Sequence, residues 1–200
     1  MRERVRCIGL LCALSLWPAA AQAQWKPVEQ VKTYPVKGTS GIELYSSIGE
    51  NGPKVGSQVR AIAHTDFKLT WSRKYEPQPD GACTLVSARP NIIIIYTLPK
   101  LVSKLSPALQ QKWDAFTDGV RRHERVHGAM IEDLVRQIEA ASIGLSVPND
   151  PKCTKVRAEL QSKIAVIFPA HQQRNRDFDK VELGDGGNVQ QLILQLVNER

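Results

Sequence analysis

Between Ser106-Pro107 and Gly144, apolar side chains recur at spacings of three and four: Leu109, Trp113, Phe116, Val120, Ile131, Leu134, Ile138 and Ala141. That period gathers them into one stripe of a helix, and so long a helix with one apolar face is stable only against a second layer. Ser106 reads as the N-cap, Pro107 as the first helical residue, and Gly144 with Pro148 as the stop. His123 and His127 fall on the same stripe. Arg121, Arg122, Arg125 and Glu132 largely occupy the other faces, which turns both imidazoles inward and leaves Glu124 at the stripe's edge.

The upstream chain supplies the facing layer. Val31 to Lys37 reads as a short strand, and Gly41 to Gly49 as a brief helix ending in the Glu50-Asn51-Gly52-Pro53 turn. From Val59, the odd positions (Ala61, Ala63, Thr65, Phe67, Leu69, Trp71) are mostly apolar. The even ones include Arg60, His64, Asp66, Lys68 and Ser72. This alternation predicts a half-buried strand, bent or broken near His64. Thr84 to Ala88 and Asn91 to Thr97 predict two more strands, the second carrying an isoleucine run (Ile92 to Ile95) that should be buried on both faces.

Downstream, Cys153 to Phe168 predicts a second amphipathic helix that ends at Pro169. A polar, Gly-rich stretch from His171 to Asn188 follows, where charged residues would sit on loops, and Val189 to Val197 closes the chain as a short helix. The expectation is an α+β fold. An N-terminal twisted β-sheet packs on the long helix, and a helical part follows it.

Residues 1–23 read as a secretory signal, with Arg2, Arg4 and Arg6 before an apolar stretch from Ile8 to Trp17 and a small-x-small site at Ala21-Gln22-Ala23. The stretch is too short to span a bilayer, and no later segment approaches the roughly 20 apolar residues a transmembrane helix needs. Cys7 and Cys12 lack the small residues that precede a lipid-modified cysteine. The expected product is a periplasmic or secreted chain, residues 24–200, forming a single domain, since no Gly/Ser linker or charge block divides it. Losing three Arg and one Glu lowers the formal charge from +7 to +5. The remaining Lys and Arg are dispersed, which argues against a nucleic-acid partner. Only Cys83 and Cys153 survive signal removal, and export predicts a disulfide between them, stabilising the fold by about 4 kcal/mol.

His123-Glu124-Arg125-Val126-His127 has the form H-E-x-x-H. Imidazoles at i and i+4 lie one helical turn apart, close enough to share a Zn²⁺ at about 2.1 Å from each nitrogen. Glu124 would then face a water on the metal and take its proton as the oxygen attacks a carbonyl, which implies peptide-bond hydrolysis and a peptide or protein substrate. In the blander account the two histidines are hydrogen-bonded residues of a helix-sheet interface. That leaves the intervening carboxylate without a task. His64 and His171 each stand alone, although His171 lies in the C-terminal region, where a third ligand could be.

The chain resembles the bacterial secreted proteins of the domain-of-unknown-function 922 family, described as predicted zinc-dependent proteases of the zincin-like superfamily. The matching features are Tyr34-Pro35-Val36-Lys37-Gly38, Asn51-Gly52-Pro53, Thr70-Trp71, Cys83, Trp113, the histidine motif and Cys153. They run in order over most of residues 31 to 190. The resemblance implies a zincin-like fold, in which an edge strand beside the active helix holds the substrate by backbone pairing. Asn91 to Thr97 precedes the helix, but its apolar continuity marks it as internal.

Where the family carries Tyr-Asp followed by Thr and His-Gly, this chain has Phe178-Asp179, Glu182 and Gly184-Asp185-Gly186. If that histidine is the third ligand in relatives, a carboxylate must serve here. Asp179, which matches the family's aspartate, is the first choice; Glu182 and His171 come next, and Asp185 is a further option. Asp133 and Glu139 face away and Glu132 is too near to close a tetrahedron. Two rival functions stand beside the protease reading: a non-catalytic envelope protein that binds a partner, and a zinc hydrolase of a non-peptide amide.

Overall fold

A computed structural model describes residues 25–56 and 59–198, so the signal predicted over 1–23 lies outside the described residues. The chain is α+β. Strand β1 (Val28–Val36) is followed by helix α1 (Gly41–Asn51), a small pair β2 (Lys54–Val55) and β3 (Val59–Arg60), and two long strands, β4 (His64–Pro77) and β5 (Cys83–Leu101). The helix α2 (Pro107–Ser142), a short β6 (Ser146–Val147), α3 (Lys155–Leu183) and α4 (Asn188–Val197) complete it.

The main sheet has the order β1-β5-β4, with β1 parallel to β5, β4 antiparallel to it, and β6 added beside the start of β5. Phe67, Leu69 and Trp71 of β4 are half-buried while Asp66, Lys68 and Thr70 are exposed, as a one-sided antiparallel strand requires. The predicted break falls at 61–63. There the Ala61 N–H is held by the Pro53 carbonyl, and the Tyr34 hydroxyl donates to the Ile62 carbonyl, which takes these residues out of the ladder.

Helix α2 begins with the Ser106 side chain accepting from the Leu109 N–H and with Pro107 in its first turn. Its stripe (Trp113, Phe116, Val120, Ile131, Val135) packs on Ile92, Ile94, Tyr96 and Leu98 of β5 in the core. Helix α4 seals the far side of the core with Leu196, and the approach is close. A Cβ on Gly41 at the start of α1 would lie only 1.8 Å from the Leu196 carbonyl oxygen.

Two predicted breaks are absent. The predicted strands at 84–88 and 91–97 are one 19-residue strand that runs through Pro90. Pro90 stands opposite Trp71 of β4, while β1 joins β5 only from Ile93 onward, so one edge is open where the N–H is missing and no ladder bond is lost. Likewise α3 does not stop at Pro169 but continues to Leu183. An interior proline costs about 3 kcal/mol. Docking of the second half of α3 offsets it: the His171 ring packs against both Phe67 and Phe168, and Arg174 pairs with Asp133 of α2 at 2.7 Å.

The disulfide Cys83–Cys153 ties β5 to the start of α3. Among the described residues, no helix is long and apolar enough to cross a membrane.

Candidate metal centre

Helices α2 and α3 face each other across the middle of the molecule. On α3, His171, Asn175, Phe178 and Glu182 recur every three or four residues, with Asp179 beside Phe178, and form one face toward α2. On α2, His123 is buried, and His127 is 12% exposed at its side chain. Their Nε2 atoms lie 3.1 Å apart. One oxygen of Asp179 reaches both, at 3.2 Å from His123 and 2.9 Å from His127.

These three side chains can hold a metal ion. Ligand atoms around a tetrahedral zinc with bonds of about 2.0–2.1 Å stand about 3.3 Å apart. The observed triangle therefore needs to spread by only a few tenths of an ångström. Its third corner comes from a helix, not from the loop that the sequence predicts, so backbone geometry as well as side-chain rotamers positions Asp179.

The site attracts positive charge, and a proton and a metal ion would compete for the same donor atoms. Burial opposes ionisation of Asp179, but the two imidazoles beside it outweigh that effect and hold its carboxyl well below the usual carboxylate range. Burial also opposes protonation of His127, yet Asp179 and Asn175 outweigh it and raise the imidazole above its ordinary value.

Each remaining candidate from the sequence has its own place. The Oε2 of Glu182 lies 3.8 Å from the Nδ1 of His123, on the opposite side of the ring from Asp179. His171 is buried and is not one of the three converging donors; burial and the nearby Arg174 push its pKa down. Asp185 is exposed in the turn after α3, where it accepts from Gln190.

Sequence reasoning passed over Asn175. Its Oδ1 accepts from the Nδ1 of His127 at 2.6 Å, while its Nδ2 donates to the His171 carbonyl at 2.8 Å. A proton held at Nδ1 leaves the Nε2 lone pair for the site. The signal was the 171/175/179 spacing, legible only if the helix is read through Pro169.

Glu124 is 5% exposed. The Thr65 hydroxyl of β4 donates to one of its carboxylate oxygens, tying it to the sheet. With His127 and Asp179 it lines a cleft of about 690 Å³ between the start of β4 and α3. An apolar recess of about 290 Å³, walled by Ala61, Ala63, Val120, Leu183 and Val189, borders His123 and Glu124.

Directly after His127, Gly128 is pressed against β5, where a Cβ would fall 2.1 Å from the Tyr96 hydroxyl. The missing side chain lets the histidine-bearing segment of α2 lie close to the sheet.

Comparison with known proteins returned a match to one family, described as "Bacterial protein of unknown function (DUF922)", over residues 31–187. No curated protein and no solved structure matches.

Proposed function

We propose that this chain, which belongs to the DUF922 family, is an exported zinc-dependent peptidase with a zincin-like catalytic helix. His123, His127 and Asp179 would hold the zinc, and Glu124 would be the general base. The observation that carries the reading is the convergence of two imidazoles and one carboxylate within 2.9–3.2 Å of one another, with a buried glutamate facing the same cleft. Two nitrogens and one carboxylate oxygen are a ligand set suited to zinc, and three protein ligands leave one coordination position open, as catalytic sites require.

When bound, zinc would polarise a carbonyl and bring the pKa of water toward neutrality. The chain's own groups do the rest. Thr65 occupies one oxygen of Glu124, leaving the other to accept a proton from water and return it to the departing amine. Among the described residues, strand β4 pairs with β5 along one side only, and its first residues border the cleft. Its open edge offers backbone groups to an extended peptide, as strand addition requires. The apolar recess beside Glu124 suits an aliphatic or aromatic side chain next to the cleaved bond.

The test is elemental analysis of the purified mature chain together with hydrolysis of a peptide library by wild type and Glu124→Gln. Both proteins should carry one equivalent of zinc, and the variant should lose at least about 10²-fold in turnover. Absence of metal, or turnover independent of Glu124, overturns the reading.

Phe178 favours a second reading. Where the family pattern has tyrosine, this ring stacks on His123 at 4.8 Å and offers no hydroxyl to a substrate carbonyl. A protein that keeps the metal and binds peptide without cutting it would show zinc in both variants and hydrolysis in neither.

A further inference from the structure

His123 has a buried nitrogen with no partner. Its Nε2 points into the triad, and its Nδ1 has no hydrogen bond although it is fully buried. A neutral imidazole carries one proton and one lone pair; if Nε2 gives its lone pair to a metal, the proton must sit on Nδ1. An unpaired N–H in that place is costly, so a site built for metal needs an acceptor there.

The nearest carboxylate is Glu182, with Oε2 3.8 Å from Nδ1 and a side chain only 14% exposed. Its other oxygen, Oε1, accepts from the Asn188 side chain at 2.7 Å, at the first residue of α4. The glutamate is thus tethered through one oxygen while the second faces the imidazole. Phe178, one turn earlier on α3, stacks on the ring with an 18° tilt and restricts its rotation. The distance exceeds a hydrogen bond by about 0.9 Å, within the reach of a side chain anchored at one atom.

We infer that Glu182 is the positioning residue for His123: its carboxylate accepts the Nδ1 proton and so presents the Nε2 lone pair to the metal. The inference rests on the metal-site reading above and gives Glu182, one of the alternatives for the third ligand, a separate role. The two histidines are then supported differently. His127 is backed by the neutral amide of Asn175, already in contact, and His123 by a charged group held ready by α4. Such outer partners fix the tautomer and orientation of a ligand and raise its basicity.

The test is zinc affinity of the mature chain, measured by competition with a chromogenic chelator, for wild type, Glu182→Ala and Glu182→Gln. The Ala variant should bind about 10–100-fold more weakly. The Gln variant, whose amide oxygen still accepts a proton, should recover most of that loss. In NMR spectra of the zinc-loaded wild type the His123 Nδ1–H should resonate far downfield and exchange slowly with water, as a hydrogen bond to a buried carboxylate requires; a purely structural Glu182 would leave that N–H unbonded, and the readout does not depend on the variants folding. Wild-type affinity in Glu182→Ala, or a zinc-loaded His123 whose Nδ1–H shows no such hydrogen bond, overturns the assignment while leaving the metal site standing. A wild type that takes up no zinc overturns both.

Discussion

Gly128→Ala tests the contact between the histidine helix and the sheet. The added Cβ would stand 2.1 Å from the Tyr96 hydroxyl oxygen, 3.0 Å from its Cζ and 3.3 Å from its Cε1. Ordinary contact begins near 3.4 Å, so the tyrosine must retreat by more than an ångström. Little freedom exists for that. Tyr96 is 3% exposed, its hydroxyl donates to Glu29, and Arg125, itself bonded to Glu29, lies 5.1 Å above its ring. Burial and the Glu29 charge push the phenol up to about 12, so it remains a donor at any working pH.

Overpacking of this kind costs about 1–3 kcal/mol, and replacing a helical glycine by alanine returns about 1 kcal/mol of it. The expected net loss for Gly128→Ala is about 1 kcal/mol, read by urea denaturation followed by circular dichroism. The decisive measurement is the double-mutant cycle with Tyr96→Phe, which removes the clashing oxygen. Its coupling should be favourable by about 1 kcal/mol or more, with the double variant more stable than the sum of the single changes predicts. Gly128→Ala with undiminished stability and no coupling to Tyr96→Phe would refute the close-approach argument.

Reducing Cys83–Cys153, which spans 70 residues, should cost about 4 kcal/mol by loop-closure entropy; urea midpoints with and without reductant measure this, and a change under about 1 kcal/mol contradicts it. Asp150 caps α3 by accepting the N–H groups of Thr154 and Val156. Burial opposes its ionisation, but these backbone donors outweigh it and hold the carboxyl below its ordinary range. The stability it contributes is present above the unfolded carboxylate pKa near 3.9 and lost as pH falls through the lower folded value. Wild type should therefore exceed Asp150→Asn in thermal stability at about pH 7, with the gap narrowing below about pH 4; a gap unchanged at low pH counts against the capping role. Because histidine ligands must be neutral, zinc should be released as pH falls below about 6, as equilibrium dialysis can follow; full occupancy at about pH 4 would exclude the histidine pair.

Much of the architecture was legible because it rests on short-range periodicity. The 3.6-residue repeat from Leu109 to Ile138 marks α2 and places His123 and His127 together, since i and i+4 share a face whatever surrounds them. Alternation along 63–71 marks β4 in the same way. Pro169 reads as a break from local chemistry, yet it lies in a helix whose far half is docked, and the two strands predicted on either side of Pro90 are one strand with that proline at an open sheet edge.

By itself, then, the sequence determined the histidine pair, the adjoining glutamate, the disulfide partners and the layered α+β plan, because each follows from spacing along the chain or from there being only two cysteines outside the predicted signal. Tertiary structure alone decided which of Asp179, Glu182, His171 and Asp185 meets the imidazoles, that Asn175 backs His127, and that Gly128 must be small against Tyr96. Those relations join residues some 30 to 60 positions apart. Those made by α3 depend on packing that carries it through a proline its local sequence would end on.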